Sequence, residues 1–296
     1  MNIICVILIS SKLNLMKVLP FKIPKPEEDA LIYQVDYGTT FYDKLHQHKE
    51  IQISFIVEGK GTLVVGDSIN EYAENDAFII GSHIPHVFKS DLHKTVPSHM
   101  ISLFFTKESF GTDFFNLVEL KALQSFFKRA KHGFKVSSNL KKLKVLFFQL
   151  EKESKFNRFL ILLHILKITA KSQGRSLSSF IYDKTYSDNE GERMRAIFEY
   201  TMNNYKEEIT LNQISNVVNM TKNAFCKYFK KRTNKTYIQF LNELRIEHAC
   251  RILQAKDEQT ITEIAEQVGF NNMSNFNRQF KALKSCNPSE FKKIAY

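Results

Sequence analysis

Two histidines and a glutamine are spaced so that they could act together. In the stretch His46-Gln-His48-Lys-Glu-Ile-Gln52, the side chains of His46, His48 and Gln52 would share one face of a β-strand, because side chains alternate between its two faces. Imidazole nitrogens are ligands of divalent transition metals, whereas a neutral amide contributes no charge to a cation. The stretch leaves three interpretations open: a metal site, the polar wall of a ligand pocket, or histidines that only support the fold.

A second group of polar residues lies in an internal repeat near the C-terminus. The run from Thr210 to Met220 matches the run from Thr260 to Phe270 at an offset of 50 residues. After the turn, Lys227 to Lys230 matches Arg278 to Lys281 at an offset of 51. A repeat of this period indicates one supersecondary unit that is used twice.

Each copy contains the residues that a helix-turn-helix requires. Thr210 and Thr260 can cap a helix through their hydroxyls, and Asn219 and Gly269 tolerate the left-handed backbone that the turn needs. The next helix of each copy would begin at a polar cap and bury a phenylalanine stripe. These residues are Thr221, Phe225 and Phe229 in the first copy, and Asn272, Phe276 and Phe280 in the second. The pattern predicts two helix-turn-helix units.

The charge of the chain is divided unevenly along its length. Net charge is −5 over residues 1–120, +10 over residues 121–190 and +6 over residues 191–296. A basic second half favours a polyanionic partner, although a solvated basic surface would give the same balance. Hydrophobic residues at 43% and charged residues at 25% are typical of a globular protein, so a disordered or fibrous chain is excluded.

The cysteines and the first residues bear on the compartment. Cys5, Cys226, Cys250 and Cys286 lack CxxC spacing, so neither a zinc site nor a disulfide framework is indicated and we expect a cytoplasmic protein. The opening run MNIICVILIS has no basic flank and no cleavage site, and it has about half the length of a spanning helix. We expect no membrane partner. Met16 is an alternative start, with residues 1–15 an over-extended reading frame.

The chain changes from strand-like to helical patterns near residue 113. Between residues 41 and 105, short alternating or apolar runs between turn residues predict a β-sandwich or barrel. Beyond this point we expect helices at residues 114–131, 140–152 and 156–171, and a linker at residues 172–191. The third helix is too apolar for a free surface, so we expect the barrel or a second copy of the chain to cover it.

The repeat resembles the double helix-turn-helix domain of the AraC/XylS family of bacterial transcription regulators, over about residues 190–294. The residues that carry this resemblance are Ile264-Ala265, Gly269-Phe270, Phe276, Arg278, Phe280-Lys281 and Pro288, together with the joining helix from Arg245 to Leu253. The family usually has glycine after each recognition helix, where this chain has Asn234 and Ser285. Serine adopts the left-handed conformation poorly, so the match is weakest near Ser285.

The resemblance implies that the second helix of each unit enters the major groove and that the joining helix holds the two about one DNA turn apart. By position, the residues expected to face base edges are Asn223, Cys226, Lys227, Ser274, Asn275 and Arg278. The residues expected at phosphates are Thr221, Lys230, Lys231, Arg232, Asn272, Lys281 and Lys284. The second recognition helix has the stronger chemistry, because arginine can bond guanine and asparagine can bond adenine through two hydrogen bonds each.

The first part of the chain resembles a cupin, the barrel that many of these regulators place before the DNA-binding domain. The runs VEGKGTLVVG and NDAFIIGSHIPHVF carry this resemblance, and His86 matches the histidine of the second cupin motif. The acid that usually completes the metal-binding set of a cupin is Gln52 here. We therefore expect His46, His48, Gln52 and His86 to line an effector pocket, and we assign no metal, no cofactor and no catalytic residue.

The sequence thus predicts an α+β multidomain protein. It comprises a cupin-like β-barrel for an effector at residues 16–112, a helical linker and dimerisation region at 113–190, and an all-α domain with two helix-turn-helix units at 191–296. We expect a sequence-specific transcription regulator that binds double-stranded DNA as a homodimer, responds to a small molecule, and contacts RNA polymerase if it activates. The alternatives are a metal-dependent cupin enzyme with a nucleic-acid module, and a non-specific architectural DNA binder.

Overall fold

The computed structural model of the protein describes residues 28–91, 97–182, 187–255 and 259–294. Met16 and the apolar run that precedes it lie outside these residues. Within the described ranges, no helix combines the length and the apolar character that crossing a membrane requires.

Strands dominate the first part of the chain. They are β1 (Ile32–Gly38), β2 (Ile51–Glu58), β3 (Gly61–Val65), β4 (Ser68–Tyr72), β5 (Ala77–Ile80), β6 (His86–Ser90), β7 (Ser98–Phe105), β8 (Phe134–Val136) and β9 (Gly174–Ser176). In the described part of the chain they form a six-stranded sheet in the order β1-β7-β2-β5-β8-β9 and a three-stranded sheet in the order β4-β3-β6. Leu63, Phe78 and Phe88 belong to one buried cluster that both sheets share, so the sheets face each other as in a barrel.

Three helices cover the outer face of the larger sheet. They are α1 (Gln124–Ala130), α2 (Leu140–Gln149) and α3 (Lys155–Lys171). Phe55 of β2 stacks on Phe147 of α2 with ring centroids 5.5 Å apart, and Leu162 and Leu166 of α3 are fully buried in the same cluster. The barrel therefore covers the apolar face of α3, which was one of the two covers expected from the sequence.

Two expectations for this region are wrong. Residues 114–131 are not one helix, because two short 3-10 segments, Phe114–Asn116 and Val118–Leu123, precede α1. The segment expected to be a linker is bound to the barrel: β9 pairs with β8 at the edge of the larger sheet, and the Ser179 amide donates to the Asp67 carboxylate at 2.9 Å. Edge strands of three residues are too short to show a two-residue period in the sequence.

The remainder of the chain is helical. Its helices are α4 (Asp188–Asn204), α5 (Leu211–Val217), α6 (Lys222–Thr233), α7 (Tyr237–Gln254), α8 (Ile261–Gln267), α9 (Met273–Lys284) and α10 (Pro288–Ile294). The predicted pairs are confirmed as α5–α6 and α8–α9, with α7 between them. Thr210 and Thr260 each cap a helix in a reciprocal capping box, and the turn residues Asn219 and Gly269 have φ of 51° and 93°.

The barrel and the helical region share one packed core. Leu45, Val64 and Val87 of the barrel belong to the same buried cluster as Met194 and Phe198 of α4. That cluster continues into the first helix-turn-helix unit through Ile214, Phe225 and Phe229. The second unit instead packs around the last turns of α7, with Leu253, Ile264, Phe276 and Phe280 in a separate cluster.

Candidate nucleic-acid interface and ligand site

The first recognition helix, α6, separates an apolar face from a polar one. Phe225 and Phe229 are fully buried one turn apart, whereas Asn223 and Lys227 are exposed and Cys226 is half-buried. The helical period of 3.6 residues places these two groups on opposite sides of the helix. The face that the sequence assigns to DNA is therefore accessible, although Cys226 is partly covered.

The second recognition helix, α9, repeats this arrangement with different chemistry. Phe276 and Phe280 are fully buried, and Ser274 and Arg278 are exposed. Arg278 Nη2 donates to Asn275 Oδ1 at 2.9 Å. The amide of Asn275 and the guanidinium of Arg278 thus form one donor and acceptor surface at the start of the helix.

The residues expected at phosphates divide into two groups. The lysines Lys230, Lys231 and Lys281 are exposed. Thr221 and Asn272 are the N-caps of the recognition helices, where their side chains accept from the amides of Ala224 and Asn275. They therefore lie beside N-terminal amides, the part of a helix that favours an anion.

Arg232 and Lys284 do not match the phosphate expectation. The Arg232 side chain is only 10% exposed, and it pairs with Glu190 while its guanidinium lies over the Tyr228 ring at 3.8 Å. Arg232 therefore joins α6 to α4. The structure thus corrects its assignment to phosphate. Lys284 is engaged by Glu247 of α7 at 2.7 Å, an intramolecular pair that a phosphate would have to displace.

Helix α7 and the turn of the second unit both pack against the segment that follows α4. Arg245 donates from Nε to the Tyr205 carbonyl at 2.8 Å and from Nη2 to the Glu207 carbonyl at 2.7 Å, and it thereby ties α7 to the end of α4. A Cβ atom on Gly269 would lie 2.7 Å from the carbonyl oxygens of Tyr205 and Lys206. The turn of the second unit therefore needs glycine for space as well as for its positive φ.

Arg251 of α7 connects the helical region to the barrel. Its Nε lies 2.8 Å from Glu71 Oε1, its Nη1 lies 2.8 Å from Asp91 Oδ1, and its Nη2 donates to Thr62 Oγ1. Burial raises the pKa of Glu71, and the positive charge of Arg251 opposes that shift. Sequence reasoning missed this contact, because a single arginine on a helix gives no sign that a distant strand supplies its partners.

The barrel histidines converge as the cupin resemblance predicts, although His46 and His48 precede β2 and therefore do not share a strand with Gln52. One nitrogen of each of His46, His48 and His86 lies within 4.8 Å of the others. Nε2 of His48 and Nε2 of His86 each lie 3.1 Å from Gln52 Oε1. His48, Gln52 and His86 are buried and His46 is half-buried, so the cluster lies inside the barrel with His46 on its more open side.

A buried carboxylate lies beside this cluster. The Glu50 side chain is 5% exposed, and its Oε2 lies 3.7 Å from His48 Nδ1. Glu50 was not among the predicted site residues, although it lies two residues from both His48 and Gln52 in the sequence. A surface cleft of about 340 Å³ lined by Glu50 and Phe104 opens next to it.

Comparison with known families defines the class of the protein. Residues 214–294 match the family model of a helix-turn-helix domain, and residues 30–103 match the model of the AraC-like ligand binding domain. With the two units and the barrel described above, the chain belongs to the AraC/XylS family: it is a DNA-binding transcription regulator with an AraC-like ligand-binding domain. The family evidence thus points to a transcription regulator, and no finding supports the cupin-enzyme alternative.

Individual relatives extend over most of the chain. The uncharacterized HTH-type transcriptional regulator YdeC of Bacillus subtilis is 24% identical over 267 residues, which cover 86% of this chain and 87% of that protein. The Msm operon regulatory protein of Streptococcus mutans is 22% identical, covering 81% of this chain and 83% of its own. Among solved structures, ToxT from Vibrio cholerae aligns over 90% of this chain and 98% of its own, with 14% identity and a TM-score of 0.36.

Proposed function

We propose that α6 and α9 enter successive major grooves of one DNA duplex, braced by α7. The observation that carries this proposal is that both recognition helices bury their phenylalanines and expose their polar residues. One face of each helix is thereby occupied by the core, and the other face is left to meet a partner. Successive major grooves on one side of B-DNA lie about 34 Å apart. The distance between α6 and α9 would have to match this spacing.

The base contacts are assigned by position on these helices. On α9 the readers are Ser274, Asn275 and Arg278, and on α6 they are Asn223, Cys226 and Lys227. We assign Lys230, Lys231 and Lys281 to phosphates, with the caps Thr221 and Asn272 presenting helix N-terminal amides to the backbone. Contacts of this second kind position the protein and make binding salt-dependent without carrying sequence information.

The barrel is proposed to control this DNA-binding region through the contacts between them. Arg251 lies between Glu71 and Asp91 of the barrel, and Arg195 of α4 donates to the Leu45 carbonyl at 2.9 Å. A ligand inside the barrel that favours one placement of these groups would shift the arrangement of the two units. Such coupling is worth about 1–3 kcal/mol in typical allosteric proteins.

Dimerisation is proposed on the helical face that the barrel leaves open. Phe156 and Leu160 of α3 are 69% and 43% exposed, and Val145 and Phe148 of α2 are 58% and 47% exposed. Large apolar side chains grouped on exposed helices favour a protein partner, and a second copy is the partner that a two-fold operator would need. A homodimer predicts a sedimentation coefficient that rises with concentration, and Phe156→Ser with Leu160→Ser should return the protein to a monomer.

Selection of bound DNA from a random pool tests the DNA proposal directly. The full chain should enrich a sequence with two short conserved blocks about one helical turn apart. Arg278→Ala should lose preference at one block and Asn223→Ala at the other. Enrichment of no sequence would instead support the non-specific architectural binder. If the protein activates transcription, RNA polymerase is a further partner. A transcription assay on a template that carries the selected operator would test this contact.

A further inference from the structure

We propose that the helical layer on the barrel carries a further DNA-binding surface, which continues the phosphate contacts of α6 along the duplex that flanks the operator. This surface, the basic track, consists of five exposed lysines on the 3-10 segment before α1, at α1 and on the C-terminal part of α3: Lys121, Lys128, Lys131, Lys167 and Lys171. Its partner is the sugar-phosphate backbone outside the operator. The inference therefore rests on the proposed function and extends the contact beyond the two recognition helices.

The layer that holds the track is the most basic part of the chain. Residues 121–150 contain eight lysines and arginines, residues 154–182 contain five, and neither stretch contains an acid. Two lysines of this layer are used by the fold, because Lys135 pairs with Asp76 and Lys155 pairs with Asp29. Within the described ranges, the five lysines of the track form no ion pair and donate no side-chain hydrogen bond. The fold therefore leaves their charge without a role.

The lysines of the track are also close in sequence to one another. Lys167 and Lys171 are four residues apart on α3, and Lys128 and Lys131 are three residues apart at the end of α1. Like charges at these spacings lie on the same side of a helix and destabilise it. A polyanion bound along this surface would offset the repulsion.

A contact between α1 and α3 brings the two groups of lysines together. Arg129 Nη1 donates to the Thr169 carbonyl at 3.1 Å and to the Ser172 carbonyl at 2.8 Å. These carbonyls flank Lys171, and Arg129 directly follows Lys128 in the chain. Lys128 and Lys171 therefore lie on adjoining helices of one surface, and both are exposed.

The segment that follows β9 connects this surface to the first recognition helix. His132 Nδ1 lies 3.2 Å from the Ser178 carbonyl, so the end of α1 lies beside this segment. Four residues further along the segment, Tyr182 Oη donates to the Arg232 carbonyl in the last turn of α6 at 3.1 Å. A Cβ atom on Gly66 would lie within 3.0 Å of both Ser178 and Tyr182. The ends of α1 and α6 therefore lie on either side of one short segment.

DNA is the polyanion that this placement favours. Lys230 and Lys231 are exposed in the last turn of α6, where they are assigned to phosphates. A duplex held by α6 continues beyond the base pairs that α6 reads, and the track lies beside the same end of that helix. Lysine binds phosphate as a point charge, which suits a contact that positions DNA without reading its sequence.

The track does not compete with the surface proposed for dimerisation. Phe156 and Leu160 lie in the first turns of α3, whereas Lys167 and Lys171 lie in its last turns. A helix of this length spans about 25 Å. A dimer contact at the first turns therefore leaves the track open to DNA.

Duplex length tests the track with the full chain. The block of the selected operator that α6 reads is the one whose preference is lost in Asn223→Ala. A duplex that extends about 12 base pairs beyond this block should bind at least about fivefold more tightly at low salt than a duplex that ends there. An extension of the same length beyond the other block should not change the affinity, which controls for the added length of DNA.

Paired lysine variants locate the contact. Lys128→Gln with Lys171→Gln should abolish the gain from the extension. On the extended duplex, the slope of the logarithm of the binding constant against the logarithm of salt concentration should fall by about two, while affinity for the short duplex should change by less than about twofold. The matched control, Lys152→Gln with Lys155→Gln, removes two exposed charges at the other end of α3 and should keep the gain. Fluorescence anisotropy measures all of these affinities.

Three results would overturn the proposal. The first is equal affinity of the wild type for the short and the extended duplex. The second is a gain that the control pair loses to the same extent as the track pair. The third is binding of the wild type to vesicles that contain phosphatidylserine, lost in the track pair, without any effect of the flanking DNA. That result would identify an anionic membrane surface as the partner.

The track and the operator-reading function can fail separately. A chain that selects a specific operator but gains nothing from the flanking duplex refutes the track and leaves the regulator function standing. If no operator is selected, a random duplex of about 40 base pairs decides, because phosphate contacts do not depend on sequence. A salt slope that falls by about two in the track pair and not in the control pair supports the track, although sequence-specific binding is then refuted.

Discussion

The two helix-turn-helix units have the same construction but different attachments. Both begin with a threonine capping box and both bury two phenylalanines on the recognition helix. The first unit shares its core with α4 and with Leu45 and Val87 of the barrel, whereas the core of the second is a separate cluster with α7. An internal repeat of sequence has therefore produced one unit whose core continues into the ligand domain and one whose core does not.

This difference suggests a division of labour. The second unit exposes Ser274 and Arg278 beside the half-buried Asn275, and these three residue types are good partners for bases. The first exposes Asn223 and Lys227 next to the half-buried Cys226, and its Arg232 is held by Glu190. We infer that the second unit provides most of the sequence preference, and that the first transmits the state of the barrel.

Truncation of one core phenylalanine in each unit is the strongest way to test this contrast. Phe229→Ala and Phe280→Ala should each reduce the free energy of unfolding by about 3–5 kcal/mol, because both side chains are fully buried. Hydrogen exchange should then differ between them. Phe280→Ala should accelerate exchange in α8 to α10 and in the last turns of α7, which share its cluster. Phe229→Ala should also accelerate exchange in β3 and β6, which contribute to its own cluster.

Chemical denaturation followed by far-ultraviolet circular dichroism measures the stability loss, and the surface variant Lys231→Ala is a control that should change it by less than about 0.5 kcal/mol. Equal acceleration of the barrel strands in the two phenylalanine variants would show that the units are not attached differently.

The contact between α7 and the residue that follows α4 should weaken at acidic pH. His248 of α7 stacks on Tyr205 at 4.2 Å, and burial, with the nearby charges of Arg251 and Lys206, lowers its pKa to about 3. The folded state therefore keeps His248 neutral, while the unfolded chain gains a proton below about pH 6.5. Stability from this group is present above pH 6.5 and is lost as pH falls toward 3. Between pH 7 and pH 4.5 the loss should be about 2–3 kcal/mol.

Urea unfolding across this pH range measures the loss, and His248→Phe isolates it, because phenylalanine keeps the stacked ring and removes the titration. The difference in unfolding free energy between wild type and variant should change by about 2–3 kcal/mol over the window, in the direction that favours the variant at low pH. A constant difference would mean that His248 is solvated in the folded state.

These cases also show how far sequence alone could lead. The repeat, its caps and its turn residues were predictable, because they depend on contacts within about ten residues of the chain. The barrel histidines were predictable from the cupin motif, although not from the strand period, because His46 and His48 precede β2. Arg251 with Glu71 and Asp91, and Arg232 with Glu190, were not, because each of these contacts depends on how distant segments pack, and no local pattern records that.

The base-reading contrast should appear as unequal losses at the two aligned positions Lys227 and Arg278. On the selected operator, Arg278→Ala should cost about 1–3 kcal/mol and relax preference at one base pair. Lys227→Ala should cost less than about 1 kcal/mol, because an ammonium is a single point charge without the paired donors of a guanidinium. Fluorescence anisotropy with operator and random duplexes measures both.

Lys281→Ala is the control for this pair of variants. Loss of a phosphate contact should weaken binding to operator and random DNA alike. It should also reduce the slope of the logarithm of the binding constant against the logarithm of salt concentration by about one. If Arg278→Ala behaved in the same way as Lys281→Ala, Arg278 would be a phosphate contact and the division of labour between the units would lose its main support.

The smallest effect compares the residues that end the two recognition helices. Asn234 and Ser285 have φ of 55° and 61°, and their amides make the same cap bond at 2.9 Å, to Lys230 and Lys281 respectively. The left-handed conformation costs most L-residues about 1–2 kcal/mol, but asparagine is among the few that adopt it readily.

Ser285→Gly should therefore stabilise the protein by about 0.5–1 kcal/mol, because the relief of strain exceeds the extra freedom of glycine in the unfolded chain. Asn234→Gly should change stability by less than about 0.3 kcal/mol, because strain and entropy nearly cancel there. Since the backbone geometry and the cap bond match, urea unfolding of the two variants isolates the side chain. An equal gain in both would mean that Asn234 is as strained as Ser285 and that the two units differ only in what they contact.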